Sequence, residues 1–398
     1  MIDIKYIEDC KLLCQKDLTE DIMPFWMKNG VDKVNGGVYT SVDKEGKLMD
    51  STKSVWFQGR FGYVCSYYYN NIKKDEEILK ASKSAIDFIE EHCIDADGHM
   101  FFAVTAEGNP VQKRRYVFSE CFASIAMAEY ALASGDNTYA DKSLELFNRI
   151  LKMISTPGFL PPKFNIEARG HSITMILINV ALVIKQVSDA PVLDEYIDKA
   201  VREIRDYFMH PEFHTVLEMV GPNGELIDTC NGRVINPGHC METGWFILEV
   251  ARQRNNDPEI VKIGTQIIDW AWEWGWDEQF GGMINFKDCK NFPAQDYSQD
   301  MKFWWPQCET ILAALYAFNA TGEEKYLDMH QKAFDWAFEK FPDRECGEWY
   351  GYLHRDGTVS HTQKGSLWKG PYHLPRCMIL CEMILTAMET GSKVPQLL

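Results

Sequence analysis

The chain has 398 residues, a formal net charge of -17 and a sequence pI near 5.1. This charge argues against a surface that binds nucleic acid or anionic membranes, because such surfaces depend on clustered Lys and Arg. A small uncharged ligand fits the charge better. The apolar fraction of 46% is enough for one large core or two smaller ones. Since no Pro- or Ser-rich linker divides the chain, we predict a single domain over residues 1–398.

No export signal or membrane span is visible in the sequence. Residues Met1 to Cys10 mix Asp, Lys and Glu with isolated apolar residues, whereas a signal peptide needs a continuous apolar stretch. The longest nearly apolar run, Met175 to Ile184, is far shorter than the ~18 residues of a membrane span. We therefore expect a cytoplasmic protein whose partners include neither membranes nor nucleic acid.

Twelve cysteines raise the question of disulfides or a zinc site. No CxxC pair occurs, and the pairs Cys10/Cys14 and Cys377/Cys381 have i,i+4 spacing, which places both thiols on one helix face. Several cysteines lie inside helical apolar patterns. We therefore interpret them as reduced core thiols and predict no metal site.

Apolar residues recur at helical spacing in long segments of the chain. Clear examples are FSECFASIAMAEYALASG from Phe118 and GHSITMILINVALVIKQVS from Gly170. The same pattern predicts about twelve helices along the whole sequence. They begin near residues 5, 53, 75, 118, 138, 170, 193, 237, 258, 302, 324 and 372.

A second element lies between successive helix pairs. It is a short aromatic or β-branched run that often ends in a Gly-containing turn, which is typical of a β-hairpin. Self-similarity at a period of ~60 residues indicates a closed or stacked repeat array. Six helix pairs fit a ring, so we predict an all-α (α/α)6 barrel, a toroid with short β-hairpins at one mouth. An open α-solenoid is the alternative, although it normally has shorter loops and fewer aromatic hairpins. The hairpin copies begin at Gly36, Gly98, Thr215, Gly281 and Gly347.

Two segments place a histidine at the start of a helix. In NPGHCMETGWF, Asn236 can cap the helix, and His239 falls in its first turn and shares a face with Glu242. In KGPYHLPRC, His373 lies one turn before Arg376. A helix amino terminus favours the neutral imidazole, which is the form that acts as a base. For either histidine alone, the alternative is that it caps its own helix.

Three further segments offer aromatic or charged side chains. In KFWWPQCE, Trp304 and Trp305 suit the C–H faces of a sugar but also fit a plain core, and Glu309 lies in the first turn of an apolar helix. Arg60 lies within an aromatic helix, where it either pairs with a carboxylate or is held to meet a ligand oxygen. His171 starts an apolar helix, and we expect it to line the cavity mouth.

Six motifs, in this order and in register with the helix pattern, resemble the N-acylglucosamine 2-epimerase family: VWFQGR, VFSECF, NPGHCMETGWF, MKFWWPQCE, GEWYGYL and KGPYHLPRC. The resemblance runs from the first helix to the last. It implies an (α/α)6 barrel in which His239 and His373 are the acid/base pair. The polar cluster that it implies around them is Arg60, Glu242, Glu309 and Arg376. The expected sugar-contacting residues are Trp305, Trp304 and His171.

The resemblance also bears on substrate, cofactor and assembly. Relatives with this core act on N-acetylglucosamine and N-acetylmannosamine, on cellobiose-type disaccharides, or on free mannose, glucose and fructose. The SECF segment and the HLPR ending resemble the N-acyl-hexosamine branch more than the disaccharide branch. Members are commonly homodimers and need no cofactor, although some use ATP as an activator that is not consumed. The segment KGSLWKG lacks the paired glycines of ATP-activated relatives, which argues against ATP activation here.

The chemistry that the resemblance implies is inversion at C2 of the open-chain sugar. One histidine removes the C2 proton, negative charge grows on O1, and the other histidine returns a proton to the opposite face. We expect Arg60, helped by Arg376, to stabilise O1. We expect Glu242 and Glu309 to orient the imidazoles or the sugar hydroxyls.

Other activities fit the sequence less well. The sequence lacks GxGxxG, GxxxxGK[ST] and GxSxG, so nicotinamide, P-loop and hydrolase-elbow chemistries lose support. A glycoside hydrolase or uronate lyase on this fold would use a carboxylate pair and give no role to two histidines. A mannose isomerase would form the same enolate but return the proton to C1. A sugar- or protein-binding toroid would need neither histidine at a helix start.

Overall fold

Thirteen α-helices lie within the residues that this computed structural model describes, which are 4–113, 116–159, 166–294, 296–395 and 397–398. Each predicted start lies within about two residues of an observed one. The first predicted helix is divided in two, because a π-helical segment, Asp17–Ile22, joins α1 to α2. The helices are α1 (Ile4–Lys16), α2 (Met23–Asn29), α3 (Val55–Asn71), α4 (Glu76–His92), α5 (Phe118–Ser134), α6 (Thr138–Ser155), α7 (His171–Ile184), α8 (Pro191–Glu203), α9 (Pro237–Gln253), α10 (Pro258–Gly275), α11 (Trp304–Thr321), α12 (Glu324–Lys340) and α13 (His373–Thr390).

Two kinds of helix alternate along the chain. The helices α3, α5, α7, α9, α11 and α13 are apolar on almost every face and are buried along most of their length. The helices between them, together with α1, bury apolar residues on one face only, which is the pattern of a helix that covers a core. The first kind therefore forms an inner layer and the second an outer layer.

The inner helices close into a ring. Each one contacts the next along the chain, and α13 contacts α3, which completes the circle. The outer helices pack against this ring, with α1 lying on α13. The predicted (α/α)6 barrel is confirmed, and an open solenoid is excluded because its first and last inner helices would not meet. Among the described helices, none is both long enough and apolar enough to span a membrane.

Short strands lie at the mouth where the inner helices begin. Four inner helices, α3, α7, α9 and α11, directly follow a strand, and each of these strands pairs with one that comes after the next outer helix. This pairing ties together the two ends of a helix pair, whereas the sequence predicted local hairpins only. Local turns are present as well, with positive φ at Gly46, Gly108 and Gly224. The strands, all paired antiparallel, are β1 (Lys53–Ser54), β2 (Ala103–Val104), β3 (Pro110–Gln112), β4 (Arg169–Gly170), β5 (Met209–His210), β6 (Thr215–Val216), β7 (Met219–Val220), β8 (Val234–Ile235), β9 (Lys287–Asp288), β10 (Lys302–Phe303) and β11 (Tyr352–Leu353).

Buried polar contacts fix this mouth to the inner ring. The fully buried Lys53 Nζ donates to Asp32 Oδ2 and to the Gly36 carbonyl, both at 2.7 Å. The Gln58 side chain on α3 exchanges two hydrogen bonds with the backbone of Val38, at 2.8 and 2.9 Å. Because an unpaired buried ammonium is costly, these contacts hold the hairpin in one position. The same arrangement recurs around α11, with Asp277, Lys302, Gly282, Gln307 and Met283.

Candidate active site

The amino-terminal turns of several inner helices meet near the centre of the ring. Arg376 on α13 reaches carboxylates on two other helices: its Nη2 donates to Glu242 Oε1 on α9 at 2.9 Å and to Glu309 Oε1 on α11 at 2.7 Å. All three side chains are buried. Arg60 on α3 lies against Tyr372, the residue just before α13. The structure thus brings the predicted polar cluster into one place.

His373 is held by a carboxylate. Its Nδ1 lies 2.7 Å from Glu309 Oε1, and Glu309 Oε2 accepts a hydrogen bond from Trp245 Nε1 at 2.8 Å. A carboxylate that is bonded to Arg376 only accepts, so Nδ1 carries the proton and Nε2 is the nitrogen that can take one. Burial lowers the pKa of His373 well below its ordinary value, and the positive charges of Arg60 and Arg376 lower it further. The imidazole is therefore neutral at pH 7 and suited to act as a base.

His239 is held in the same way by a residue that the sequence analysis missed. Its Nδ1 lies 2.9 Å from Glu218 Oε1, while its backbone N–H donates to Asn236 Oδ1, the predicted cap, at 3.1 Å. The Asn236 amide nitrogen also lies 3.0 Å from Nδ1, but a carboxylate at 2.9 Å requires a proton on that nitrogen. A lone acidic residue within the run TVLEMV was the signal available in the sequence.

The Glu218 carboxylate is ionised at neutral pH. Burial by itself would raise the pKa of Glu218, yet His239 and His171 outweigh burial and hold that pKa well below its ordinary value. Each of the two predicted acid/base histidines therefore has its own glutamate, Glu309 for His373 and Glu218 for His239. Glu242, which the sequence placed on the same helix face as His239, is instead bonded to Arg376.

Trp305 lies between the two histidines. Its ring centre is 5.1 Å from that of His239 and 5.7 Å from that of His373, and its side chain is half-buried. A flat apolar surface flanked by two imidazoles suits a sugar, whose C–H groups pack on aromatic faces. Trp304 differs: it is only 4% exposed and packs against Tyr352, with ring centres 5.5 Å apart. Its burial corrects the expectation that both tryptophans contact the sugar.

Arg60 lies in an aromatic box. Its guanidinium carbon is 4.1 Å from the ring centre of Phe122 and 4.8 Å from that of Tyr372, with Trp56 and Phe57 close by. Among the described residues, no carboxylate forms an ion pair with it, and its buried Nε has no hydrogen-bond partner. Burial lowers the pKa of Arg60 to about 10, so the group stays charged at neutral pH. Of the two predicted alternatives, this geometry matches a guanidinium held for a ligand oxygen.

Arg376 has the opposite surroundings. It is fully buried, and besides its two carboxylates it donates from Nη1 to Tyr372 Oη at 3.1 Å. The Tyr372 ring thus lies between two guanidinium groups, at 4.8 Å from Arg60 and 4.7 Å from Arg376. Arg376 has no exposed surface and both of its terminal nitrogens bond within the cluster, so it fixes the cluster in place, although its buried Nε has no hydrogen-bond partner among the described residues. This corrects the expectation that Arg376 helps Arg60 at the sugar O1.

Further aromatic rings, which the sequence analysis did not single out, extend from Arg60 toward the mouth. Trp368 is 46% exposed, and its ring centre lies 5.7 Å from that of Trp56 and 5.2 Å from that of Phe102. Trp56 also contacts Phe118, at 5.3 Å between ring centres. An exposed tryptophan backed by other rings is a suitable platform for a sugar.

His171 lies behind the site and not at its mouth. Its side chain is fully buried, with Nε2 at 3.0 Å from Thr243 Oγ1 and Nδ1 at 3.6 Å from Glu218 Oε1. This burial corrects the expectation that His171 lines the cavity mouth. His171 is the first residue of α7, its backbone N–H donates to the Glu218 carbonyl at 3.0 Å, and its ring packs against Phe208 with ring centres 5.4 Å apart.

Among the described residues, two groups of side chains have the composition of a metal site, and one of them lies here. The ligand atoms of Glu242, Glu309 and His373 all lie within 4.8 Å of one another. The Arg376 guanidinium is bonded to both carboxylates and already supplies positive charge there, which disfavours a second cation. That no metal is needed stays a prediction.

Comparisons with known proteins identify the family of this chain. The family model for N-acylglucosamine 2-epimerase (GlcNAc 2-epimerase) matches residues 37–377. The N-acylglucosamine 2-epimerase of Mus musculus is 31% identical over 386 residues, covering 92% of this chain and 90% of the mouse protein. The cellobiose 2-epimerase of Eubacterium cellulosolvens is 26% identical over 420 residues, covering 94% of this chain and 98% of that enzyme. A crystal structure of D-mannose isomerase superposes with a TM-score of 0.82 at 16% identity, covering 94% of this chain and 98% of that one. The chain therefore belongs to the N-acylglucosamine 2-epimerase family.

Proposed function

We propose that this protein is an isomerase that interconverts N-acetylglucosamine and N-acetylmannosamine by inverting C2. The observation that carries the proposal is the pair of histidines beside Trp305, each with its Nδ1 bonded to a separate glutamate. Inversion needs one group that removes a proton and another that returns it from the opposite side, and histidines do both near pH 7. Two such histidines facing one aromatic surface meet that need.

The reaction proceeds through the open-chain sugar. The Nε2 of one histidine takes the C2 proton, and the C–H electron pair forms a C1–C2 double bond while the carbonyl electrons move onto O1. The other histidine, protonated at the start, then gives its proton to the opposite face of C2, and the carbonyl re-forms. The roles exchange in the reverse direction. No other reactant is consumed, so we propose that no cofactor is required.

The charge on O1 needs a fixed positive partner. We assign this role to Arg60, because it is charged, has no carboxylate partner among the described residues and is held by rings on several sides. A preorganised donor of this kind typically lowers a barrier by ~3 kcal/mol when the site excludes water. Glu242 and Arg376 act indirectly, by fixing Glu309 and hence His373.

The choice of an N-acyl hexosamine rests on the sequence and the comparisons. The identity to the mouse N-acylglucosamine 2-epimerase is 31%, against 26% to the cellobiose 2-epimerase. The SECF and HLPR segments also resemble the N-acyl-hexosamine branch more than the disaccharide branch. A free-hexose 2-epimerase or a mannose isomerase is the closest alternative, because the same two histidines would serve it.

A glycoside hydrolase fits the site poorly. Glu242 and Glu309, the carboxylates at its centre, both bond to one Nη2 of Arg376 and are buried, so neither is placed to protonate a glycosidic oxygen or to activate water. A pure binding protein would have no use for two glutamate-bound imidazoles. We further propose a cytoplasmic homodimer in which ATP is at most an activator that is not consumed, on the strength of the family resemblance.

Proton NMR in D2O tests the substrate directly. N-acetylmannosamine and, separately, mannose are incubated with the purified protein, each with and without ATP. We expect N-acetylglucosamine deuterated at C2 from the first sugar, at a rate that ATP leaves unchanged. If mannose gives fructose or glucose while N-acetylmannosamine does not react, the protein acts on free hexoses instead. Unaltered sugar in every sample would contradict the proposal.

A further inference from the structure

Three hairpins at the mouth share one tight turn, and the third departs from it at Glu348. Each turn contains two successive residues with positive φ, and the backbone of one Asp bonds to both of them. The first two turns use glycine twice, because a residue without Cβ adopts positive φ freely, whereas the third has Glu348 at a φ of 60°. The turns are Gly36–Gly37 with Asp32, Gly281–Gly282 with Asp277, and Gly347–Glu348 with Asp343.

A glutamate is an unusual residue for this conformation. Glycine would fit position 348 without strain, as it does in the other two turns. The side chain of Glu348 therefore makes contacts that offset the strain of its backbone. Among the described residues, the other non-glycine residues with positive φ are of types that tolerate this region better, namely His214, Asn255, Asn256 and Asn291.

The buried Glu348 carboxylate joins three parts of the chain. Its Oε2 accepts a hydrogen bond from Trp26 Nε1 on α2, and its Oε1 accepts one from the Trp349 backbone N–H at 2.8 Å. The same Oε1 accepts from Lys369 Nζ at 3.2 Å, and Lys369 is only 1% exposed. The Lys369 amine also donates to the Lys364 carbonyl at 2.7 Å. Glu348 thus connects its hairpin to α2 and to the segment that leads to His373.

The contact between Glu348 and Lys369 is an addition to the shared turn. The lysine that belongs to the turn is Lys364, whose Nζ lies 2.9 Å from Asp343 Oδ2 and donates to the Glu348 carbonyl at 3.2 Å. A second lysine could not be held in the other two turns, because glycine offers no carboxylate there. The counterparts of Lys364 are Lys53 and Lys302, each of which bonds to the Asp and to a backbone carbonyl of its own turn.

The stem of Lys369 packs against the start of α11. A β-carbon at Gly351 would lie 2.5 Å from Lys369 Cδ, so the stem fits only because residue 351 is glycine. The Gly351 carbonyl accepts the backbone N–H of Trp304, the first residue of α11, at 3.0 Å. Lys369 is therefore fixed next to the helix that carries Trp305 and Glu309.

The segment that Lys369 anchors crosses the site. The Trp368 ring centre lies 5.7 Å from that of Trp56 on α3, and five residues later the His373 ring centre lies 5.7 Å from that of Trp305 on α11. Lys369 lies between Trp368 and His373 in the chain. Because a buried amine without acceptors is costly, its two acceptors hold it in one place. A shift of Lys369 would displace both flanking rings.

We propose that the Glu348–Lys369 contact positions Trp368 and His373 against the sugar. The strain at Glu348 is retained because a glycine at this position could not hold Lys369. The proposal rests on the proposed epimerase function, in which His373 exchanges a proton with C2. Glu348 and Lys369 are positioning residues, since both are buried and act through Trp368 and His373.

Fluorine-19 NMR of the intact protein tests the proposal without any turnover of sugar. The tryptophans carry a 5-fluoro label, and Trp368→Phe identifies the Trp368 signal by its loss. Glu348→Gly removes the carboxylate but keeps the turn, because glycine adopts positive φ easily. We expect the Trp368 signal to shift or broaden in Glu348→Gly. A signal with the parent position and width would overturn the proposal, whether or not the protein is an epimerase.

Glu345→Gly is the matched control. Glu345 lies in the same hairpin, but it is exposed and pairs with Lys44 Nζ at 2.8 Å. This variant should leave the Trp368 signal and kcat at their parent values. A change as large as that in Glu348→Gly would show that any disturbance of the hairpin moves Trp368, which would also overturn the proposal.

Kinetics with N-acetylmannosamine separate positioning from stability. For Glu348→Gly, kcat measured well below the melting temperature should fall about 10- to 10²-fold, because displacing a reacting group by about 1 Å has an effect of this size. Circular dichroism confirms that the variant is folded. A residue with only a structural role would lower the melting temperature and leave kcat unchanged, which would contradict the proposal.

A double variant tests whether the two residues act through one contact. Lys369→Met removes the other partner and should lower kcat by a similar factor. Glu348→Gly/Lys369→Met should then lose no more than either single variant, because the contact is already gone in each. Losses that multiply in the double variant, or a parent-like kcat in both single variants, would refute the assignment.

Discussion

His373 Nδ1 and Glu309 Oε1 lie 2.7 Å apart, and the same glutamate oxygen accepts a hydrogen bond from Arg376 at 2.7 Å. One carboxylate oxygen thereby sets the tautomer of an imidazole while its charge is balanced by a guanidinium. Truncating one member of a buried charged network leaves the others uncompensated, so these residues act as a unit.

Glu309→Gln and Glu242→Gln form a matched pair. Both glutamates bond to Arg376, but only Glu309 also bonds to His373. We expect Glu309→Gln to lower kcat by about 10²-fold or more, because the Nδ1 proton of His373 is no longer fixed by a charged acceptor. Glu242→Gln should cost stability with a smaller loss of kcat. Steady-state kinetics and thermal unfolding on both variants check this, and equal losses of kcat would refute the division of roles.

Arg60→Lys tests the assignment of charge stabilisation. Lysine keeps a positive charge but lacks the planar fork that the rings of Phe122 and Tyr372 hold in place. We expect kcat to fall about 10²- to 10³-fold, as on loss of one donor to a developing oxyanion, with KM changed much less. Kinetics with N-acetylmannosamine measure this, and circular dichroism shows whether the fold is retained. A kcat near the parent value would show that Arg60 does not stabilise the charge on O1.

Trp305→Phe and Trp304→Phe test the aromatic surface between the histidines. Trp305 is half-buried and contacts both imidazoles, whereas Trp304 is 4% exposed and packs in the core. The first change should raise KM several-fold with modest loss of stability. The second should lower the melting temperature, since a large buried ring is reduced, and leave KM nearly unchanged. The reverse pattern would mean that Trp304 is the ring that meets the sugar.

The buried carboxyl of Glu129 should make the free energy of unfolding depend on pH. This fully buried carboxyl on α5 accepts hydrogen bonds from Asn70 Nδ2 at 2.7 Å and from Gln186 Nε2 at 3.2 Å, and burial raises its pKa to about 7. A folded-state pKa above that of the unfolded chain gives stability that is full at low pH and lost as pH rises through about 7. Its contribution to the fall in unfolding free energy from pH 5 to pH 8 is therefore at most about 3 kcal/mol.

Glu129→Gln removes this titration. Chemical unfolding at pH 5 and pH 8 should show a smaller loss of stability between the two values than in the parent, because an amide keeps its form across the range. Glu323→Gln, at an exposed position before α12, serves as the control that changes charge without burial. An unchanged difference between pH 5 and pH 8 in Glu129→Gln would show that Glu129 does not titrate there.

Much of the fold was predictable because helical periodicity extends over long segments and the repeat is regular. The strand pairing was not, since β1 and β2 are two residues each and are joined across α3 and α4, where no local pattern records the pairing. That the chain forms a single domain stays a prediction.

The site was predictable in part. Motifs at helix starts pointed to His239 and His373, but Glu218 lies in a connection between strands and meets His239 only in three dimensions. The burial of His171 also depends on tertiary packing, because a histidine at a helix start looks the same in sequence whether it faces a cavity or a neighbouring strand.

The central claim is that His239 and His373 act on opposite faces of C2, and deuterium exchange in His239→Asn and His373→Asn tests it most directly. Each variant is incubated in D2O with N-acetylmannosamine and separately with N-acetylglucosamine, and proton NMR follows the C2 signal and the product. We predict that neither variant forms the other epimer, and that each exchanges the C2 proton of the one sugar that its remaining histidine deprotonates. Epimerisation at the parent rate in both variants, or exchange of the same sugar by both, would contradict the account.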